Sequence, residues 1–227
     1  MGSPPEYIVT DPHGLRICCE DIAASEQVGF DTEFVGEESY QPQLCLLQLA
    51  TPRALYVIDP FDCGPLEELW SLLASPTRLV IVHAGREEVR FIQGAAGRAP
   101  RQLFDVQIAA GLVGFNYPVG YGPLVHNVLG RKLRKNETLT DWRRRPLSQG
   151  QLRYAFDDVR DLLALWRELE ALLKRRRRMS WAQEEFAAWT HRWLQRSTDN
   201  ERWRKLKGIG GLDPARLAIV RELYFWR

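Results

Sequence analysis

A three-residue gap, Thr51-Pro52-Arg53, separates two strongly β-prone runs, LCLLQLA at 44–50 and ALYVID at 54–59, and constrains the fold more than any other feature of the chain. Parallel neighbours need a crossover of a dozen or more residues, so a connection this short turns the chain straight back. The early strands are therefore expected to be antiparallel. VGFDTEF at 28–34 and LVIVHA at 79–84 read as further strands. Helical patterns fall at 65–74, with Pro65 in the first turn, at 86–94 and at 105–111. Strands interleaved with helices in 227 residues, 45% of them hydrophobic, make an α/β domain with a real core.

The second half is more helical. GFNYPVGYGP reads as a loop, GPLVHNVLGRKLRK as a short helix that becomes basic, and NETLTDWRRRPLS as a polar connection. One long helix is expected over 149–176, because Phe156, Val159, Leu163, Trp166, Leu169 and Leu173 recur at its period. The basic run Lys174 to Arg178 sits at its end, where cations suit the helix dipole. Residues 179–227 change character. Trp181, Phe186, Trp189 and Trp193 form an aromatic stripe read as core, and a Gly turn leads to a last helix near Pro214. The expected division is thus 1–178 and 179–227, the latter a helical extension that is incomplete here.

Charge is unevenly spread. Residues 1–100 hold six basic and fifteen acidic side chains, and residues 101–227 hold twenty-five and fourteen. A polyanion held near an acidic, cation-binding centre would suit such a chain; a solvated basic helix surface would also produce it. Cys18, Cys19, Cys45 and Cys63 lack metal-ligand spacing and read as reduced packing residues. No apolar run reaches membrane-spanning length. The first residues carry no signal pattern, and Glu6 breaks the myristoylation motif, so the expected location is the cytoplasm.

Three acidic groupings carry the chemistry. In a strand, residues two apart share a face, so Asp31 and Glu33 project together with Thr32 and Phe34 opposite. Two such carboxylates repel unless a proton or a hard cation lies between them. Tyr154 and Asp158 share a helix face, whereas Asp157 points elsewhere. A phenol is too weak an acid to serve as a ready base, so orienting a water suits it better. Glu87 and Glu88 follow the strand tip in HAGREEVRF, where open α/β sheets bind ligands, with His83 facing that site or packed.

D-x-E on a first strand, HAG-x-E-acid after a later one, LFDVQIAA, TDWRRRPL and Y-x-x-x-D occur in order over residues 6–178. The set resembles the ribonuclease D family, 3′–5′ exonucleases of the DEDD type with Tyr in the last motif. The tail resembles the family's linker and the first helix of its HRDC-type domain. The resemblance implies a ribonuclease H-like mixed sheet flanked by helices. It implies two divalent metal ions, Mg²⁺ or Mn²⁺, held by Asp31, Glu33 and Asp158 with Glu88 assisting, and Tyr154 bonded to the attacking water. Asp105 matches a further acid that supports the site. The family usually has Asp where Glu88 stands, and the extra methylene carries the carboxylate about 1.5 Å further.

Gln48 and His83 are expected to line the nucleotide pocket. Arg143, Arg144 and Arg145, and the run Arg131 to Lys135, are expected to contact phosphates. The implied partner is an RNA 3′ end, single-stranded or tRNA-precursor-like, released as 5′-mononucleotides. A DNA exonuclease, a non-catalytic RNA-binding module and a helical interaction protein remain as alternatives.

Overall fold

A computed structural model describes residues 4–36, 42–133, 141–194 and 202–226. Among them, six strands form one mixed sheet: β1 (Glu6–Val9), β2 (Gln27–Val35), β3 (Gln43–Ala50), β4 (Leu55–Ile58), β5 (Leu79–Val82) and β6 (Gln102–Asp105), in the order β1-β4-β3-β2-β5-β6. β3 runs antiparallel to both β2 and β4, as the short gap requires, and the other pairings are parallel. Asp21 locks the hairpin, accepting from Thr51 Oγ1 at 2.6 Å and from the Tyr56 hydroxyl at 3.0 Å.

Three helices cover one face: α1 (Pro12–Ala23), α2 (Glu67–Leu73) and α3 (Arg86–Ala96). They enclose Phe30, Leu47, Leu49, Ile58 and Val82. Against the other face pack α4 (Val106–Leu112), α5 (Tyr121–Leu129), α6 (Gln149–Arg160), α7 (Leu162–Arg175) and α8 (Met179–Leu194), over Leu46, Ala50, Val57, Ile81 and Phe104. Each strand's alternate residues thus feed two apolar layers, the main stabilising force of such a fold.

Several expectations change. The edge strands β1 and β6 are four residues each, too short to give a clear period. α1 did carry a signal: Asp11 accepts from Gly14 N at 2.7 Å with Pro12 at the first helical position. Pro65 lies outside α2, whose cap is Leu66. α5 stops at Gly130, so Arg131 and Lys132 lie beyond it, while Arg134 and Lys135 fall outside the described residues. The long helix is two helices. It breaks at buried Asp161, whose carboxylate meets Arg131 Nη2 at 2.6 Å. That pairing joins the segment after α5 to the α6–α7 junction, a contact that periodicity along one segment cannot show.

α8 packs on the sheet domain through Phe186, whose ring centroid lies 5.0 Å from that of Phe104. Trp193 is buried as well, but Trp181 is exposed beneath the Arg178 guanidinium. The last helix, α9 (Pro214–Trp226), has no buried residue among those described.

Candidate active site

β2 is paired to β5 up to Gly29 opposite Ile81, and it continues while β5 ends at Val82. Asp31 and Glu33 lie on that continuation, at the carboxyl end of the parallel strands where α/β sheets hold ligands. Their face looks toward α6 and α7. A side chain at Gly29 would place its Cβ 3.1 Å from Leu162 Cβ, so glycine lets the α6–α7 junction close on the strand. α6 thereby brings Asp158 and Tyr154 over the pair.

The electrostatics show four carboxylates gathered together. Asp31 is raised well above the ordinary carboxylate range by burial, then by Glu88, Asp158 and Glu33. Burial, with Asp158 and Glu88 adding, pushes Glu33 up to about 8. Burial lifts Glu88 and Asp158 each to about 7, opposed by hydrogen bonds from Thr32 and Tyr154 respectively. Tyr154 donates to Asp158 and is itself raised by burial and by these acids, so it keeps its proton at neutral pH. Asp157 instead pairs with Arg160 at 3.0 Å.

Glu88 arrives differently from the other three. It is buried in the first turn of α3, and Thr32, on the opposite face of β2, donates to its Oε1 at 2.6 Å. The turn before α3 is tightly built. Asp105 accepts from Ala84 N and Gly85 N at 3.2 and 3.0 Å while capping α4 through Gln107 N at 2.8 Å. A Cβ at Gly85 would lie 2.3 Å from Val82 Cγ2, which is why glycine stands in HAG. His83 Nε2 bonds the Val119 carbonyl at 2.9 Å, and its ring meets Tyr121 edge-on. Burial lowers its pKa.

Gln48 does not line an open pocket: it is completely buried, paired across the ladder with Asp31. Arg145 is likewise not available for phosphate. It pairs with Asp59, donates to the Cys45 carbonyl at 2.8 Å and lies over the Phe61 ring. Cys45 is the extra residue of a bulge opposite Glu33 and Phe34, so its carbonyl is turned out of the ladder toward Arg145. This anchor holds Trp142 against Tyr154, with ring centroids 5.8 Å apart. Arg144 projects into solvent, and Arg143 Nε bonds Asp141 at 2.9 Å. Thr32, Gly29, Gly85 and Tyr121 were not singled out from sequence. For Thr32 the available signal was a polar residue on the apolar side of a strand.

Among the described residues, no three Asp, Glu, His or Cys side chains are drawn together as a ready-made cation cage. The donor set nevertheless fits a hard divalent cation: every group is a carboxylate, and each is penalised for carrying its charge without a counter-ion.

Comparison with known proteins follows the same lines. A family profile described as 3′–5′ exonuclease matches residues 7–174. Ribonuclease D of Acidiphilium cryptum (strain JF-5) is 35% identical over 225 residues, 99% of this chain and 57% of its own length. The chain thus spans a little over half of that curated relative. Escherichia coli RNase D, an exoribonuclease involved in structured RNA processing, superposes with a TM-score of 0.87 at 30% identity, covering 97% of this chain and 59% of that one. Brucella melitensis NrnC, solved with bound Mg²⁺, gives 0.67 at 25% identity over 92% of this chain and 95% of that one. NrnC bound to pGG gives 0.72 at 25% identity, with 92% and 100% covered.

Proposed function

The chain belongs to the 3′–5′ exonuclease family, and we propose that it hydrolyses the 3′-terminal phosphodiester of RNA and releases 5′-mononucleotides. The observation that carries this reading is the convergence of Asp31, Glu33, Asp158 and Glu88 beside a protonated Tyr154.

Asp31, Glu33 and Asp158, with Glu88 beside them, would hold two divalent cations, Mg²⁺ or Mn²⁺, which would supply Lewis-acid stabilisation of the phosphoryl group and the leaving oxygen. The Tyr154 hydroxyl, fixed between Asp158 and Trp142, orients the attacking water. The water oxygen bonds to phosphorus and gives up a proton to solvent, the bond to the penultimate nucleotide's 3′-oxygen breaks, and that oxygen leaves with a proton from solvent. Asp105 contributes through the turn that sets Glu88. Arg143 and Arg144, on the loop anchored by Arg145, would bind backbone phosphates, and half-buried His83 stands just past the end of β5.

We assign the nuclease unit to 1–178 and 179–227 to a linker and HRDC-like helices, with α8 packed back on the sheet through Ala182 and Phe186. Four free, buried thiols are in keeping with a reducing cytoplasm. No helix among the described residues is long and apolar enough to cross a membrane. One observation favours a second reading: Glu88 Oε1 is already engaged by Thr32 at 2.6 Å, as would suit a chain that binds RNA without cutting it.

The test is shortening of 5′-labelled single-stranded RNA, matched DNA and pGG with Mg²⁺, Mn²⁺ or EDTA, for wild type and Asp31→Asn. RNA shortening that EDTA and Asp31→Asn abolish is expected. No shortening with any metal overturns the enzyme reading, and faster loss of DNA overturns RNA as the substrate.

A further inference from the structure

We infer that Gln48 is a positioning residue that holds the Asp31 carboxylate in place for a divalent cation, an inference that rests on the metal-dependent reading above. Gln48 is completely buried at the centre of β3, and among the described residues neither its Nε2 nor its Oε1 has a hydrogen-bond partner. A buried carboxamide with no partner is costly, and a native chain keeps one where a partner arrives in another state.

The sheet register identifies that partner. Gln48 stands directly opposite Asp31 on β2 and Val57 on β4. Directly opposed residues share a face, with Cβ atoms about 5 Å apart, a gap a glutamine side chain spans. Along β3 the same face carries Leu46 and Ala50. Of the four in-sheet neighbours of Gln48, three are therefore apolar and the fourth is Asp31. An apolar side chain would serve packing here as well as its neighbours do; the amide adds a donor on a side chain long enough to reach across to the paired strand. A carboxylate that gives one oxygen to a cation still has lone pairs to satisfy, and the Gln48 N–H supplies a bond to them. Groups that hold a metal ligand in this way typically change affinity or activity 10- to 100-fold when removed.

The test uses the full chain stripped with chelator. Mn²⁺ is titrated calorimetrically, thermal melting is followed without metal, and kcat and KM are measured on single-stranded RNA, for wild type, Gln48→Met and Gln48→Leu. The apolar variants are expected to melt no lower than wild type without metal, since they remove an unsatisfied amide. Their Mn²⁺ affinity is expected to fall about 10- to 100-fold, with kcat reduced and KM for RNA unchanged. Wild-type affinity in both variants overturns the inference. A wild type that binds no Mn²⁺ overturns the metal-dependent reading and Gln48's role with it. If the apolar variants do not fold, Gln48→Asn, which keeps the amide but withdraws it from Asp31, is read in the same way.

Discussion

Thr32 Oγ1 donates to Glu88 Oε1 at 2.6 Å, tying the far face of β2 to the first turn of α3. The bond gives the longer acid a place to rest. It holds one carboxylate oxygen of that side chain, and it favours the ionised form of Glu88. Thr32→Val removes the donor from a buried carboxylate, at a cost of roughly 1.5–3 kcal/mol. The loss is expected to be larger at pH 8 than at pH 5, because Glu88 then has to ionise unaided. Equal losses at the two pH values, measured by chemical denaturation, would argue against this role.

Glu88→Asp shortens the side chain and takes its carboxylate out of Thr32's reach. An increase in Mg²⁺-dependent cleavage of about tenfold or more is expected if the Thr32 bond holds the acid back from the other three. Unchanged kcat would show that the present geometry already serves the reaction.

The carboxylate cluster makes metal-free stability depend on pH. Glu33 is pushed up to about 8, and Asp158 and Glu88 to about 7, chiefly by burial. Between the ordinary carboxylate value and about pH 8 the folded chain binds more protons than the unfolded one, so stability falls as pH rises. The metal-free protein is expected to melt at least about 5 °C lower at pH 8 than at pH 5. Mn²⁺ should raise the melting temperature more at pH 8. A flat pH profile would contradict the clustering.

Gly85 and Gly29 are close-approach glycines with different outcomes. Gly85→Ala drives a Cβ to 2.3 Å from Val82 Cγ2 and is expected to cost about 3 kcal/mol. Gly29→Ala presses on Leu162 Cβ at 3.1 Å and on Ala50 Cβ at 3.2 Å, gaps that shifts of a few tenths of an ångström in α7 and β3 relieve. It is expected to cost about 1 kcal/mol but to lower kcat about tenfold, since Leu162 lies four residues after Asp158, just across the α6–α7 junction. Recovery of kcat in the Gly29→Ala, Leu162→Gly double variant, which removes both the Leu162 Cβ at 3.1 Å and its Cδ1 at 3.3 Å, would check this; persistent loss would place the effect elsewhere.

Arg144 and Arg145 are adjacent and should behave oppositely. Arg144→Ala is expected to leave stability within about 0.5 kcal/mol, weaken RNA binding and reduce its salt slope by about one. Arg145→Ala strands buried Asp59 and frees the loop that supports Tyr154, with an expected loss of about 3–5 kcal/mol. Thermal melts and salt-dependent RNA binding separate the two.

The local pattern of the sequence carried much of this protein. The three-residue gap after Ala50 determined the antiparallel hairpin, and strand alternation put Asp31 and Glu33 on one face. The helical period did the same for Tyr154 and Asp158, because side-chain direction within a regular element follows from backbone geometry alone. What lay beyond that reach depended on contacts between distant segments. The break at Asp161 needs Arg131, the withdrawal of Arg145 from solvent needs Asp59 and the Cys45 carbonyl, and the burial of Gln48 needs the helices over β3. The same holds for Glu88, whose number and charge were plain in HAGREE but whose resting place was decided by Thr32. A buried polar group takes its role from the one partner within reach, and tertiary packing alone selects that partner.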